Sequence, residues 1–296
     1  MLDQPIPVIL NPAARSTQAA LREEMLRSLK PAPELHLTGG PAEATAIAER
    51  LARDGHELIV AAGGDGTMNE VLQGICKVNT QRGPGETHTA LGVLPVGTMN
   101  VFSVELGMPG SDIGKCWEMI TSGRRREIDL WKANDHYFVQ LAGVGFDAQI
   151  IQETPWEMKK KFGPLSYVMS AVQVLQKEPP VLTLVTEGKP PMHGSVILVG
   201  SGAHYGGPVR VFPEASNADG LLDVLIFRGL GGWEFAQLLR AILIDGYAPS
   251  LDIDYLQLPE FTVTSDRDAP MELDGELTGG TPVTFHAAPF SLRVAV

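Results

Sequence analysis

Cysteine is nearly missing from this chain: Cys76 and Cys116 are the two among 296 residues, too few for a disulfide framework or a cysteine-based zinc site. Both fall in segments that read as helical, where a lone thiol is ordinarily buried. Long apolar runs are missing as well. No stretch approaches the roughly 18 to 20 residues that cross a bilayer, and MLDQPIPVILNP has no basic region ahead of its short apolar stretch, so a soluble cytoplasmic chain is expected. Positive charge is scarce, with 23 Lys and Arg against 35 Asp and Glu and a net charge of -12. Residues 129–296 carry most of the excess, 11 basic against 20 acidic, compared with 12 against 15 in residues 1–128. Nucleic acid is therefore excluded as a partner, because its binding rests on clustered Lys and Arg. Internal repeats and low-complexity segments are lacking, and so is any G-x-x-x-x-G-K-[ST] phosphate loop.

The apolar content of 44% with 20% charged residues suits a globular protein, and the length suggests about two domains. Over the first 130 residues short apolar runs alternate with amphipathic segments: IPVIL then 17–30, LHL then 42–53, LIVAA then 67–76, ALGVLP then 98–106 and 112–121. That alternation predicts a doubly wound parallel sheet covered by helices. Pro41 suits the first turn of the 42–53 helix and Gly55 suits its stop. After Asp129 the pattern changes to YFVQLAG, VLTLVTEG, GSVILVGSG, LLDVLIFRG, FTVTS and PVTFHAA, separated by Gly, Pro and Asn turns. These predict an antiparallel β-sandwich, interrupted by helices near 163–176 and 232–245. The expected division is 1–128, an α/β domain, and 129–296, a β-sandwich domain, with the hinge at 123–130.

The segment LIVAAGGDGTMNE, residues 58–70, runs from a strand into a glycine turn and a helix expected to begin near Thr67. Ligands of open parallel sheets bind beyond the carboxyl ends of the strands. Gly63, Gly64 and Gly66 would allow positive φ and close backbone approach, and the helix start would offer free amides to a phosphate. Three glycines alone would also suit a bare strand-to-helix turn. Asp65 favours the phosphate, because a carboxylate beside one is costly unless it holds a bridging Mg²⁺ or orders water around it. GVGFDA, 143–148, matches a dinucleotide fingerprint but lies at the entry to the strand-rich half, where a tight turn explains it better.

Two local basic runs stand against the acidic background. GRRRE, 123–127, reads as a solvated turn before a strand. PWEMKKKFG, 155–163, interleaves Trp156, Met158 and Phe162 with Lys159, Lys160 and Lys161. It suits contact with anionic lipid headgroups, or equally a helix start with an exposed lysine face.

In order along the chain, NPAAR (11–15), GGDGTMNE (63–70), LPVGTMNVFSVELGMP (94–109), GVGFDA, NADGLLDV (217–224) and ELDGE (272–276) resemble the diacylglycerol kinase catalytic domain family. Within it the likeness is to bacterial lipid kinases, which include sphingosine-kinase-like members. The resemblance covers nearly the whole chain and implies an ATP-dependent lipid kinase. Its nucleotide domain would be similar to those of 6-phosphofructokinase and NAD kinase, and a β-sandwich domain would follow. By resemblance, ATP contacts fall on Asn11, Thr38, Gly64, Asp65, Gly66, Thr67, Asn69, Glu70 and Thr98. Glu276 would accept the proton of the acceptor hydroxyl, with Asp274 orienting it or helping to hold Mg²⁺. Asp-Gly between strands is by itself a hairpin signal. Ser216, Asp219 and Leu221, the first and last through carbonyl oxygens, would hold a structural Mg²⁺, where the residues alone read equally as an Asp-Gly turn. His204 and Tyr205 are candidates for the lining of an acceptor cleft. NPAAR lacks the Ser-Gly that many relatives carry after Asn-Pro, and Val101 stands where Asp is frequent. The implied partner is a lipid at the inner face of the membrane, met peripherally through Trp156, Lys159, Lys160, Lys161 and Phe162, with a homodimer left open. A kinase for a soluble acceptor and a nucleotide-binding regulatory protein without activity are the competing readings.

Overall fold

Each short apolar run of the first 130 residues becomes a strand in the computed structural model, which describes residues 5–12, 19–83, 85–97, 99–110, 112–154, 178–206, 209–229 and 253–296. The chain forms two units, Met1–Leu130 with Ala288–Val296, and Trp131–Ala287. In the first unit the order is β1 (Pro7–Leu10), α1 (Ala19–Arg27), β2 (Glu34–Leu37), α2 (Glu43–Arg53), β3 (Leu58–Gly63), α3 (Asp65–Asn79), β4 (Ala90–Pro95), α4 (Val101–Glu105), α5 (Ile113–Thr121) and β5 (Arg125–Ile128). The second unit contributes β6 (Trp131–Ala133), β7 (His136–Phe138), β8 (Leu141–Gly145), α6 (Phe146–Gln152), β9 (Leu182–Val185), β10 (Met192–Gly194), β11 (Val196–Gly200), β12 (His204–Tyr205), β13 (Val209–Arg210), β14 (Leu222–Phe227), β15 (Ile253–Leu258), β16 (Glu260–Ser265), β17 (Pro270–Leu273), β18 (Glu276–Gly280) and β19 (Val283–Ala287). The last strand, β20 (Leu292–Ala295), returns to the first unit.

The first sheet runs β2-β1-β3-β4-β20-β5, with β1 to β4 and β20 parallel and β5 antiparallel at the edge. Strands β1, β3 and β4 are buried throughout, as continuous apolar runs in the middle of a covered parallel sheet should be. Assigning 288–296 to the first unit departs from the division at 129 expected from sequence. SLRVAV follows other strands in the chain, but its apolar residues Leu292, Val294 and Ala295 are buried between β4 and β5.

Helix ends follow their local chemistry. Gly55 has φ +91 and closes α2 as expected, with His56 N–H donating to Leu51 and Gly55 N–H to Ala52, the paired bonds of a Schellman stop. Pro41 lies ahead of the helix instead of in its first turn, because Ala42 takes φ 64 and α2 starts at Glu43. The basic run at 123–127 turns at Gly123 and enters β5, where Arg125 Nη1 donates to the carbonyls of Ile120 and Arg124. Both cysteines are buried free thiols, and burial pushes Cys116 up to about 11.

In the second unit two six-stranded sheets, β10-β9-β16-β19-β6-β7 and β15-β14-β11-β8-β17-β18, enclose one apolar core. Among the described residues every strand pair of these sheets is antiparallel, the expected sandwich. Residues 163–176 and 232–245, read as helical from sequence, lie outside the described residues.

Candidate active site

Strand β1 has β2 on one side and β3 on the other, so the chain leaves it in two directions. Such a divergence opens a crevice at the carboxyl ends of the strands. Backbone bonds align those ends. Thr38 N–H donates to Leu10 at 3.0 Å, Asn11 N–H to Ala62 at 3.3 Å, and the N–H groups of Val96 and Gly97 both reach the Gly63 carbonyl, at 3.2 and 3.0 Å. Asn11, Thr38, Gly63, Gly64 and Gly97 thus lie along one rim.

Of the two uses expected of the glycines, positive φ and close approach, the rim takes the second. Gly63, Gly64 and Gly66 are not among the positive-φ residues, and Gly64 is extended at φ -91 and ψ -170. Space is what they supply. A Cβ on Gly63 would stand 2.4 Å from Thr67 Cβ, and one on Gly97 would stand 2.3 Å from Gly64 Cα. Helix α3 begins at Asp65, two residues before the expected start. Asp65 therefore occupies the first turn of a 15-residue helix, where the positive dipole end offsets a carboxylate.

The remaining nucleotide candidates separate by what holds them. Thr38 and Thr67 are buried. Asn69 Oδ1 accepts from Gln73 Nε2 at 3.1 Å. Glu70 caps α2: its carboxylate oxygens accept from Ala42 N–H at 3.0 Å and Ala44 N–H at 3.1 Å, where Ala42 has no side chain to do so. Thr98 lies outside the described residues, as do Trp156, Lys159, Lys160, Lys161 and Phe162. Sequence reasoning passed over Asn100. Its left-handed backbone, φ 49, turns the side chain onto Gly97, accepting from its N–H and donating to its carbonyl, both at 3.1 Å. The signal was the Asn itself, a residue type that tolerates this conformation.

In the second unit Asp274 and Gly275, at φ 49 and 88, form the two-residue turn that pairs Leu273 with Glu276. This is the type I′ hairpin that Asp-Gly signals. Asp274 is buried, and its carboxylate accepts three backbone N–H groups, from Gln140 at 2.9 Å, Leu141 at 3.1 Å and Val139 at 3.2 Å. Those donors break YFVQLAG, expected as one strand, into β7 and β8, since N–H groups turned to a carboxylate cannot continue a ladder. Glu272, which sequence reasoning did not single out, is fully buried and accepts from Gly275 N–H at 2.7 Å. Glu276 is exposed at the start of β18. Gln140 Nε2 donates to the His204 carbonyl at 3.0 Å, which attaches the GSGAHY loop to the same cluster.

Asp219 Oδ1 accepts from Leu221 N–H at 3.0 Å, so the NADG segment closes as an Asx turn, with Ser216 and Asp219 exposed. Below it lies Asp223, fully buried. Burial pushes its carboxyl up from the ordinary value, hydrogen bonds from Tyr255 and Gln257 pull it down, and the charges of Asp219 and Glu214 push it up again. Among the described residues no group of three or more His, Cys, Asp or Glu is disposed to hold a metal. A cation here would need hydroxyl and carbonyl oxygens beside carboxylates. That mixture, together with a buried Asp223 Oδ2 that has no hydrogen-bond partner, fits a hard ion such as Mg²⁺. At the first rim, Asp65 in the first turn of α3 likewise fits Mg²⁺ carried with a phosphate.

Comparisons with known proteins also divide the chain after residue 130, although the second match includes 288–296, which fold with the first unit. The model of the diacylglycerol kinase catalytic domain matches residues 5–133, and that of the YegS C-terminal NAD kinase beta sandwich-like domain matches residues 140–296. Similar curated proteins include the diacylglycerol kinase of Bacillus subtilis (strain 168), 31% identical over 253 residues, 84% of this chain and 81% of that protein. The diacylglycerol kinase of Staphylococcus epidermidis (strain ATCC 12228 / FDA PCI 1200) is 29% identical over 245 residues, 82% of this chain and 75% of that protein. A crystal structure of a diacylglycerol kinase from Bacillus anthracis str. Sterne shares the fold, with a TM-score of 0.76 at 22% identity, covering 98% of this chain and 96% of that one. Among the described residues no helix is long and apolar enough to cross a membrane.

Proposed function

Because the chain belongs to the diacylglycerol kinase catalytic domain family and is a kinase, we propose that it transfers the γ-phosphoryl group of ATP to the hydroxyl of a lipid alcohol, with diacylglycerol the first acceptor to test. One observation carries the reading: GGDG lies at the carboxyl end of β3, beside the divergence of β1, with a carboxylate in the first turn of α3.

Phosphoryl transfer is a matter of position and charge. Gly64, Gly66 and the first amides of α3 cradle the phosphates, and Asn11, Thr38, Thr67, Asn69 and Thr98 donate to phosphate or ribose oxygens. Bound Mg²⁺ supplies charge neutralisation on the phosphate oxygens, and Asp65 is the residue that would hold it. Glu70 acts through α2, whose first turn it caps, and is a positioning residue for the rim. In the second unit Glu276 accepts the proton from the acceptor hydroxyl. Asp274 holds the turn that presents Glu276. Ser216, Asp219 and Leu221 hold a structural Mg²⁺, and the 155–163 segment meets anionic headgroups.

The test is transfer of radiolabelled γ-phosphate into a panel of lipid alcohols in mixed micelles, comparing wild type with Asp65→Ala and Glu276→Ala. Labelled lipid from wild type alone supports the proposal. Bound ATP with no label in any lipid would move the reading to a soluble acceptor. Replacing Lys159, Lys160 and Lys161 by Gln should weaken activity on anionic vesicles and spare it on micelles; equal loss on both removes the membrane contact.

A further inference from the structure

Strand β8 stands between β11 and β17 and is antiparallel to both. Its first residue, Leu141, is therefore level with Gly200 at the end of β11, and Ala142 is level with Leu273 at the end of β17. Two segments leave the sheet at this end. One is the 201–206 loop, SGAHYG, and the other is the Asp274–Gly275 turn that leads to Glu276. Gln140, just ahead of β8, touches both.

Gln140 is buried, at 1% exposure, and makes three links across that end. Its backbone N–H donates to Asp274 Oδ1 at 2.9 Å, and its carbonyl accepts from Ser201 N–H at 2.9 Å. Its side chain adds the third, Nε2 donating to the His204 carbonyl at 3.0 Å. The first two links use the main chain; the third needs a side-chain donor of this reach. The loop is anchored at its start, where Ser201 Oγ accepts from Trp131 Nε1 at 3.0 Å, both residues being fully buried. Tyr205 packs on the apolar cluster that contains Phe212 and Leu225. By strand alternation in β12, His204 faces the other way, and Gln140 fixes the backbone from which that half-buried imidazole projects.

We propose that the Gln140 side chain is a positioning residue for the lipid acceptor: it holds the 201–206 loop at a set distance from the turn that presents Glu276, so that an acceptor seated against His204 brings its hydroxyl to that carboxylate. The proposal rests on the reading of Glu276 as the proton acceptor of a lipid kinase. Its side chain is separable from the turn itself. All three donors to Asp274 are backbone N–H groups, so a change confined to the Gln140 side chain leaves the Asp274 carboxylate held as before.

The test is Gln140→Met, which keeps the length of the side chain and removes its donor. Transfer of radiolabelled γ-phosphate in mixed micelles gives kcat and KM for the lipid and for ATP. The variant should show a lower kcat and a higher KM for the lipid, a combined loss of about 10- to 100-fold in kcat/KM, with KM for ATP unchanged. Gln140→His, whose ring N–H has a similar reach, should recover part of that loss. If near-UV circular dichroism shows Gln140→Met to be unfolded, the comparison is between Gln140→His and Gln140→Asn, whose amide falls one methylene short and should show the larger loss for the lipid. Wild-type values for the lipid in folded Gln140→Met, or in Gln140→Asn where that comparison is used, overturn the proposal. A lower kcat with both KM values kept also overturns it, since fewer folded molecules would give the same result, and so does an equal rise in KM for lipid and ATP. No labelled lipid from wild type would overturn the kinase reading and this proposal with it, a result distinct from a loss confined to the variants.

Discussion

Replacing Gly97 by Ala adds a single methyl group at the tightest point of the rim proposed to hold the nucleotide. That methyl would lie 2.3 Å from Gly64 Cα, 2.6 Å from Asn100 Oδ1 and 2.9 Å from Gly64 N, where ordinary contact begins at 3.4 Å. Two of those atoms are backbone, so no rotamer change relieves the overlap. The β3–α3 turn and the loop after β4 must separate by about 1 Å, a misplacement that can cost on the order of 100-fold in rate. Overpacking of this kind costs about 1–3 kcal/mol, or a fall in melting temperature of about 2–12 °C for a unit of this size. Gly64→Ala is the internal control, because its methyl would meet Gly97 Cα at 3.5 Å, an ordinary contact. It should leave the melting temperature nearly unchanged while weakening ATP, since the methyl would intrude on the proposed phosphate cradle. Gly40→Ala, with nothing within 4 Å, should change neither. Calorimetry and kcat/KM for ATP separate the cases. Wild-type stability and kcat/KM in Gly97→Ala would refute the close-approach argument.

Three further outcomes test particular contacts. Glu70→Ala should destabilise by about 0.5–2 kcal/mol in urea unfolding through loss of the α2 cap, and Glu70→Gln by less; wild-type stability in Glu70→Ala would remove the cap. Asp274→Asn presents an amide nitrogen to one of three backbone donors and should cost about 1–3 kcal/mol, lowering kcat while KM for ATP stays unchanged. A rise in KM for ATP would instead place Asp274 on the nucleotide. The Lys115 backbone N–H, then its side chain, hold the Asp112 carboxyl below its ordinary value of 3.8. Stability from that bond is present above 3.8 and lost as pH falls through the depressed folded value, so Asp112→Asn should show a shallower acid limb than wild type. Identical acid limbs would contradict it.

The legible parts of the fold were local. Alternating runs predicted β1 to β4 and α1 to α5, because both periodicity and stop signals lie within a few residues of the elements they govern. Where sequence reasoning went astray, the partner was distant. SLRVAV gives no sign that Val294 pairs with Leu91 of the first sheet. IDYLQL, residues 253–258, was passed over as a strand because its polar residues Asp254 and Gln257 stand three apart, which breaks the alternation of a half-buried strand. Of the two reasons the sequence offered for the glycines of GGDG, positive φ fails and close approach holds: Gly63 makes room for Thr67 and Gly64 lies against Gly97, and the second of these belongs to another strand's loop.

The same distinction divides Asp65 of the first unit from Asp274 of the second. Asp65 is readable from its neighbours, since a carboxylate after two glycines at a strand end reaches the first turn of a helix, where the dipole favours it. Asp274 is readable only as half of a hairpin turn, because its three donors stand 133 to 135 residues earlier in the chain. Glu70, 28 residues from Ala42, lies between these extremes; its motif marks it as a site residue, while its carboxylate is occupied in capping a helix. A motif therefore gives a residue's neighbours in sequence and not the partners its side chain finds in the fold. For this chain the difference has a physical origin: turn formation is settled by residues side by side, whereas the burial and partnering of a carboxylate are settled by whatever strand or helix the fold brings against it.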